Sequence, residues 1–562
     1  MSAPRRSSIA APEQHIHVDD EKVRRMSLTN PDITNLTTDA AKATEAERNM
    51  TLLQGLKLYP KAVGWSILLS GAIIMEGFDI VLIGNLLAVP AFKQKFGFQL
   101  SDGSYEVSAA WQSGLTNGAY CGEIIGLMLN GIIAEKFGFK KTMIGALAIV
   151  TAFIFIVFFV QNIVQLLVGL ILLGIPWGVF QTLTTTYAAE VCPVPLRAYL
   201  TTYVNLCWVI GQFLASGVLK GVSSRKDEWA YRIPYALQWM WPVPLIIGIT
   251  FAPESPWWLV RKERIEDAKR MLLRLTSRNQ QVDFNPDETI AMMKHTNELE
   301  KATSEGARYI DCFKHTDLRR TEICAMTWFT QSFCGSTFMG FSTYFYEQAG
   351  MDTANAFSMS LGQYALGAMG TFLSWFLMTR YGRRTLYVSG QLVMLCLLLV
   401  IGFCGIAPTG NVGAQWAIGS MLLIFTFVYD STVGPVCYSL VAEMPSTRLR
   451  QKTVVLARNS YNIASIIGNI LTFRMLNPGA WNWGAKSAFF WAGTGFLCLV
   501  WTYFRLPEPK GRTYGELDML FEQRISARKF ASTVVDLKDD SQTEEFDEKK
   551  AAVKAKRLES VS

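Results

Sequence analysis

Long apolar runs separated by short polar loops dominate the pattern of this chain. Runs long enough to cross about 30 Å of hydrocarbon predict membrane-spanning helices. Twelve such runs occur, and because this number is even, both ends of the chain are expected on one side of the membrane. The predicted spans cover residues 61–83, 110–133, 142–160, 163–186, 199–219, 233–252, 321–346, 357–378, 385–405, 415–440, 453–475 and 485–505.

One long polar insertion separates the sixth predicted span from the seventh. Within it, Asn285-Pro286-Asp287-Glu288 offers an N-cap, a first-turn proline and acidic residues, which predicts that the insertion contains short helices. The pattern therefore predicts an all-α membrane protein built from two six-helix bundles. Its expected segments are a tail at 1–60, a bundle at 61–252, a linker at 253–320, a bundle at 321–505 and a tail at 506–562.

Three short motifs occur twice, once in each predicted bundle. A glycine with basic neighbours follows the second and eighth spans, an acid seven residues before an arginine follows the fourth and tenth, and Pro-Glu follows the sixth and twelfth. Parallel six-helix repeats predict a substrate site between the halves, opened alternately to each side of the membrane. The matched positions are Gly138 and Gly382, Glu190 to Arg197 and Glu443 to Arg450, and Pro253-Glu254 and Pro507-Glu508.

The composition supports an integral membrane protein, since 50% of the 562 residues are hydrophobic and only 18% are charged. The net charge of +7 comes largely from Lys and Arg in loops on the side of the tails. This bias predicts cytoplasmic termini and gives no reason to expect nucleic-acid binding. We see no nucleophile with a base, metal-ligand cluster or phosphate-binding loop, so neither an enzyme, a cofactor nor a metal is expected.

Carboxylates within the predicted spans are the candidate chemical groups. Glu76 and Asp79 lie on one helix face of span one, and Glu123 lies in span two. A charge at bilayer depth costs about 2.5 to 3.5 kcal/mol on insertion scales. Because crowded, buried carboxylates hold a proton more tightly, we predict that at least one of the three binds a transported proton. The alternative is that they are paired structural charges.

Two further features surround these acids. The four histidines all lie in polar segments, so a histidine relay through the membrane is not expected. Arg458, in span eleven, is the one candidate cation within the spans and is predicted to counter the acids, or else to extend to the cytoplasmic surface. A stripe of small residues predicts close helix packing of span two beside Glu123. The stripe consists of Gly114, Gly118, Gly122 and Gly126.

Several motifs resemble those of the sugar porters of the major facilitator superfamily. These are the repeated loops, Pro253-Glu-Ser-Pro-Trp-Trp-Leu259, Gln331 with Gly335, Gly434-Pro435 and Pro507-Glu-Pro-Lys-Gly511. Gly174 to Gln181, Tyr203 to Trp208, Arg448 to Thr453 and Lys510 to Glu516 resemble fungal maltose-type permeases. This resemblance implies the major facilitator fold and proton-coupled uptake of alpha-glucosides such as maltose across the plasma membrane, by a monomeric unit.

The resemblance also implies roles for individual residues. Asn205, Gln331 and Asn462 match or lie near sugar-binding positions, while Thr337 and Tyr438 are smaller than their usual counterparts and favour a disaccharide. Hexose porters carry an arginine where this chain has Leu170, so Asp79 lacks that partner. The loop charges resemble a cytoplasmic gate that pairs across the two bundles when the outside is open. They are Glu135, Glu190, Arg197, Arg380, Arg383, Glu443, Arg448 and Arg450.

Other functions of the same fold stay open from the sequence. A facilitative hexose carrier would not need the acidic cluster, and a carrier of other oligosaccharides such as cellobiose or lactose would share it. A non-transporting sugar sensor would need a signalling element, and the tail after Glu522 contains no evident recognition motif.

Overall fold

The computed structural model describes residues 15–16, 43, 50–100, 103–277, 284–304, 308–408, 410–446, 449–510, 512, 517 and 520–535. Regular structure in this part of the chain is almost entirely α-helical, which confirms the predicted fold class. Seven of the described helical segments are long and apolar enough to cross a membrane. The count of twelve spans stays a prediction.

The first half of the chain folds into a series of long helices joined by short turns. The first predicted span is a single helix that starts at Pro60, a residue favoured in the first turn because it has no N–H to satisfy there. The helices are α1 (Leu52–Leu58), α2 (Pro60–Leu86), α3 (Pro90–Phe96), α4 (Ala109–Phe137), α5 (Phe139–Phe158), α6 (Ile163–Val191), α7 (Val194–Val222), α8 (Trp229–Leu237) and α9 (Pro242–Phe251).

Three α-helices lie within the described part of the predicted linker. Asn285 accepts a hydrogen bond from the Asp287 amide at 3.0 Å, directly before the helix that begins at Pro286. The linker helices are α10 (Pro256–Arg261), α11 (Ile265–Leu275) and α12 (Pro286–Ser304).

The second half repeats the long helices of the first. Its helices are α13 (His315–Phe333), α14 (Thr337–Gly340), α15 (Ser342–Gln348), α16 (Thr353–Arg380), α17 (Arg383–Cys404), α18 (Val412–Ser431), α19 (Val433–Glu443), α20 (Arg450–Leu476) and α21 (Ala488–Arg505). Each of the strands in the described part of the chain has only two residues. β1 (His15–Ile16) pairs in parallel with β4 (Val534–Val535), and β2 (Phe98–Gln99) pairs antiparallel with β3 (Tyr105–Glu106).

The helix packing follows the same plan in each half. In the first half α2 packs on α7 and α4 on α6, and in the second α13 packs on α20 and α16 on α18. In each predicted bundle, therefore, the first span packs on the fifth and the second span packs on the fourth. The two halves meet through α4 against α20 and α7 against α16, which are also related by the repeat. A cavity between the halves is therefore lined by equivalent helices.

Three of the predicted spans are interrupted rather than continuous. The sixth contains a 3-10 turn at Gln238–Met240, and the tenth breaks at Thr432 between α18 and α19. The seventh divides into α13, α14 and α15, with Gly335 at φ 95° in the first break, a conformation that glycine adopts at low cost. Interrupted backbone within a membrane is tolerated where it is enclosed by protein or lines a cavity.

The repeated Pro-Glu motifs have the same structural role in both halves. Glu254 accepts hydrogen bonds from the Phe139 and Lys140 amides at the start of α5. Glu508 accepts hydrogen bonds from the Arg383 and Arg384 amides at the start of α17. Each carboxylate thus satisfies free N–H groups at a helix N-terminus, where the helix dipole also favours negative charge.

Candidate functional site

A central cavity lies between the halves, next to the interrupted helices. Its walls come from α2, α4 and α7 of the first half and from α13, α14, α18, α19 and α20 of the second. The cavity volume is about 100 Å³, less than the 300 to 1,000 Å³ of typical ligand pockets. Of the predicted substrate residues, Asn205, Gln331, Thr337 and Tyr438 line it.

Polar contacts in the cavity wall occur both between the halves and within the second half. Asn205 on α7 donates hydrogen bonds to Asp430 on α18 and Thr371 on α16, both at 3.2 Å. Gln331 donates to the Gly434 carbonyl at 3.0 Å and accepts from the Tyr429 hydroxyl at 3.1 Å. Amide and hydroxyl side chains of this kind can also hydrogen-bond a polar ligand in the cavity.

Asn462 is not among the lining residues. It is fully buried on α20, and neither its amide nitrogen nor its carbonyl oxygen has a hydrogen-bond partner among the described residues. A buried amide left unsatisfied is unfavourable. Its assignment as a sugar ligand stays a prediction.

Glu76, Glu123 and Arg458 lie in one buried network, and the connection between them runs through Gln181. The Gln181 amide nitrogen donates to Glu76 and, at 3.1 Å, to Glu123. Its carbonyl oxygen accepts from Nε of Arg458 at 2.8 Å. One oxygen of each carboxylate has no partner within the described chain. Each acid therefore has a free oxygen on which a proton can be carried.

Arg458 packs against aromatic rings and makes no ion pair with any of the described residues. Its guanidinium carbon lies 4.5 Å from the ring centroids of both Trp328 and Tyr461 and 5.8 Å from that of Trp208. Cation–π contacts of this kind stabilise a desolvated cation. Because Arg458 also lines the central cavity, it connects the substrate cavity to the acids.

Asp79 is not hydrogen-bonded to this network, although it is close enough to Glu76 to interact with it electrostatically. It is buried, and neither of its oxygens makes a hydrogen bond in the described part of the chain, although Gln238 and Tyr235 are polar neighbours. The i, i+3 spacing placed Glu76 and Asp79 on one face, but the structure gives them different surroundings. Asp79 faces the interrupted sixth span, and Glu76 faces α6.

The end of the central cavity away from the tails is closed by a polar cluster. Lys93 forms ion pairs with Glu106 and Glu347, each at 3.2 Å, and the second pair joins the two halves. Gln112 donates to the Tyr344 hydroxyl at 3.2 Å and accepts from Asn477 at 3.0 Å, which adds further contacts between the halves. We call these six residues the outer cluster.

Burial changes the ionisation of two members of the outer cluster. It raises the pKa of Glu106, and the Lys93 ammonium offsets this only in part. Burial alone would lower the pKa of Lys93, but the carboxylates of Glu347 and Glu106 outweigh it and raise that pKa above its ordinary value. Lys93 therefore stays charged and holds the cluster together.

Known proteins identify the family of this chain. The sequence profile of the sugar (and other) transporter family matches residues 65–521. The chain belongs to this family. A general alpha-glucoside permease of Saccharomyces cerevisiae is 46% identical over 506 residues, 89% of this chain and 82% of the permease. A maltose permease of Saccharomyces cerevisiae is 44% identical over 503 residues, again 89% of this chain and 82% of the permease.

Solved structures show the same fold. The proton:xylose symporter XylE bound to 6-bromo-6-deoxy-D-glucose superposes with a TM-score of 0.67 at 20% identity, over 83% of this chain and 99% of that one. A partially occluded inward-open form of XylE from E. coli gives a TM-score of 0.65 at 18% identity, over 81% of this chain and 99% of that one. The transporter therefore has the major facilitator fold, and its family and fold are those of transporters rather than enzymes.

Three of the predicted gate charges form ion pairs within the described part of the chain, and none of these pairs joins the two halves. Arg383 pairs with Glu443 at 3.3 Å, and Glu190 pairs with Arg261 of the linker at 2.7 Å. Glu135 and Arg380 are exposed, Arg197 and Arg450 are half-buried, and Arg448 lies outside the described residues. Pairing of these charges across the halves was predicted for the outward-open form, whereas here the outer cluster is closed. The gate role stays a prediction.

Gln181, Trp328 and Tyr461 are site residues that sequence reasoning missed. Gln181 belongs to the motif Gly174 to Gln181, which served only to establish the family resemblance. The two aromatic residues lie in apolar spans and look like packing residues. A signal was available for Gln181, because a polar amide in an apolar span requires a partner just as a charge does. No sequence signal distinguishes Trp328 and Tyr461 from packing residues.

We expect Lys93→Met to open the outer end of the cavity. The change removes both ion pairs and leaves two buried acids without a cation, which is strongly destabilising for the closed form. A cysteine introduced by Ser336→Cys is labelled with a membrane-impermeant maleimide, with and without Lys93→Met. The labelling rate should be at least about tenfold higher with Lys93→Met, which corresponds to a loss of about 1.4 kcal/mol from the closed form. Lys95→Met is the matched control, because Lys95 on the same helix is more exposed and pairs with Glu228 of its own half. Equal labelling in both variants would contradict a locking role for the cluster.

Proposed function

We propose that this transporter imports alpha-glucoside disaccharides such as maltose together with protons, across the plasma membrane. The observation that carries the proposal is a buried pair of glutamates connected through Gln181 to Arg458 in the wall of the substrate cavity. The names of the relatives, general alpha-glucoside permease and maltose permease, support the substrate class. The proposed orientation has both tails and the linker in the cytoplasm.

Transport is proposed to proceed by alternating access between the two halves. With the outer cluster open, sugar enters the cavity from outside and a proton binds at Glu76 or Glu123. Sugar replaces the contacts of Asn205 with Asp430 and of Gln331 with Tyr429, and the outer cluster then closes. Opening toward the tails exposes the acids to the more neutral cytoplasm, where the proton and the sugar leave.

Sugar-induced alkalinisation of an unbuffered suspension tests this function. The chain is expressed in yeast that lacks its own sugar transporters, and maltose is compared with glucose. We expect alkalinisation with maltose. Uptake of glucose without alkalinisation would make a facilitative hexose carrier the better assignment, and maltose accumulation without proton movement would exclude symport. If no sugar enters although the protein is verified at the cell surface, a sensor becomes the better assignment.

We expect Asn205→Ala to weaken sugar binding. The change removes a donor and an acceptor from the cavity, so the maltose concentration for half-maximal uptake should rise about tenfold, the effect of losing about 1.4 kcal/mol. Asn130→Ala is the matched control, since Asn130 bonds Thr182 between α4 and α6 and does not line the cavity. An unchanged half-maximal concentration in Asn205→Ala would remove this residue from the site.

A further inference from the structure

A second cavity lies at the ends of α13 and α21, where residues 520–535 fold against these helices. Its volume is about 340 Å³, within the range of small-molecule sites. The predicted spans begin at 321 and end at 505, so this cavity lies at a membrane boundary, on the face that carries both tails. Its polar walls are His315, Thr316, Arg319, Arg505, Arg524 and Ser526.

The cavity is built by specific contacts with the C-terminal segment. Phe521 and Phe530 are fully buried, and the Arg319 guanidinium lies 5.3 Å and 5.7 Å from their ring centroids. Nη1 of Arg319 also donates to the Ile525 carbonyl at 2.8 Å. These contacts hold the segment against α13, so the cavity is part of the fold.

The cavity has an excess of positive charge. Arg505 is neutralised by an ion pair with Glu322. Among the described residues, no carboxylate lies within ion-pair distance of Arg319 or Arg524, and the buried Nε of Arg319 has no hydrogen-bond partner there. Neither Arg319 nor Arg524 forms an ion pair within the described residues, so both guanidinium groups can bind an anion at this opening.

The backbone around the cavity is also unusual. His315 has a φ of 45° and Arg524 a φ of 54°. They are two of the four non-glycine residues with positive φ in the described part of the chain. This conformation is uncommon for residues with a side chain, and it is concentrated at functional sites. Its occurrence on both walls of one cavity is a second indication of a binding site, independent of charge.

We propose that this cavity binds the phosphomonoester group of a phosphorylated inositol lipid headgroup in the leaflet next to the tails. Guanidinium groups recognise phosphate with two parallel hydrogen bonds, and the hydroxyls of Thr316 and Ser526 supply further donors. Basic pockets at the ends of membrane helices suit phosphorylated headgroups. Phe504, exposed at the end of α21 in the cavity wall, provides an apolar surface for the lipid chains.

Lipid retention by the full chain tests this proposal. The protein is reconstituted in phosphatidylcholine nanodiscs that contain either phosphatidylinositol phosphate or phosphatidylserine, and bound lipid is measured by native mass spectrometry. We expect retention of the inositol lipid, with at least tenfold weaker binding in Arg319→Gln/Arg524→Gln. Arg270→Gln is the matched control, since Arg270 is a highly exposed arginine on the linker, outside the cavity.

The single variant Arg524→Gln distinguishes loss of lipid binding from misfolding of the double variant. Arg524 is exposed, so this variant should fold normally and still lose part of the lipid. Equal retention of phosphatidylserine and the inositol lipid, or unchanged retention in the double variant, would overturn the proposal. In a second experiment, inorganic phosphate is added to lipid-free protein and the melting temperature is measured. If it raises the melting temperature of lipid-free protein through Arg319 and Arg524 while the inositol lipid is not retained, the site binds free phosphate and the lipid assignment is wrong.

Discussion

Replacing Glu76 or Glu123 by glutamine is expected to abolish sugar accumulation while leaving sugar exchange intact. A neutral amide can still hydrogen-bond Gln181, but it cannot carry a proton across. A proton moving down a potential of 100 mV supplies about 2.3 kcal/mol, enough for about fifty-fold accumulation of sugar. Without coupling, the internal sugar concentration should only reach the external one.

Two assays on the same cells measure this effect. Radiolabelled maltose accumulation at an acidic external pH should fall to the external concentration, and maltose-induced alkalinisation should disappear. Counterflow of labelled against unlabelled maltose requires no net proton movement and should persist. Glu298→Gln is the control, because Glu298 is exposed on the linker helix α12. Wild-type accumulation in both Glu76→Gln and Glu123→Gln would show that neither acid carries the proton.

Asp79 provides a comparison within the same experiment. It has no hydrogen bond in the described chain and is not joined to Gln181. If Asp79→Asn also abolishes accumulation, the pathway of the proton includes the interrupted sixth span. If the Asp79→Asn variant accumulates maltose normally, proton coupling depends on the network of Glu76, Glu123 and Arg458 and not on Asp79.

The sequence showed which charges lie within the spans, but it did not show how they are connected. The high cost of a charge at bilayer depth singled out Glu76, Asp79, Glu123 and Arg458 without any knowledge of packing. Helix periodicity could not show that Glu76 turns toward α6 and Asp79 toward the sixth span. That difference depends on which helices pack around α2, and such neighbours are set by tertiary structure.

The fold was predictable because its signals are local or repeated. Hydrophobic length indicated the spans, and the paired motifs indicated the two related halves. The interruptions in the sixth, seventh and tenth spans were not predicted, because a hydropathy window averages across a break at a residue such as Thr432. Gly335 and Gly434-Pro435 carried information about such breaks, but glycine and proline are also common within continuous membrane helices.

The glycine stripe on α4 connects helix packing to the site. A Cβ on Gly126 would overlap the Ile175 carbonyl of α6 and lie 3.2 Å from the Cα of Gly178, and a Cβ on Gly122 would lie 2.8 Å from the Cα of Gly174. These are backbone atoms, which cannot turn aside as a flexible side chain could. A Cβ on Gly114, the first member of the predicted stripe, would meet no described atom within 4 Å, so Gly114 takes no part in the contact.

We therefore expect Gly126→Leu to prevent folding and Gly126→Ala to lower the melting temperature of the purified protein. Overpacking costs about 1 to 3 kcal/mol even where side chains can adjust, and here two helix backbones must separate. Gly114→Ala is the matched control on the same helix and should melt like the wild type. Because separation of α4 from α6 also moves Glu123 away from Gln181, any folded Gly126→Ala should accumulate less maltose than its surface abundance predicts. Equal melting temperatures for the two alanine variants would contradict the close approach of these helices.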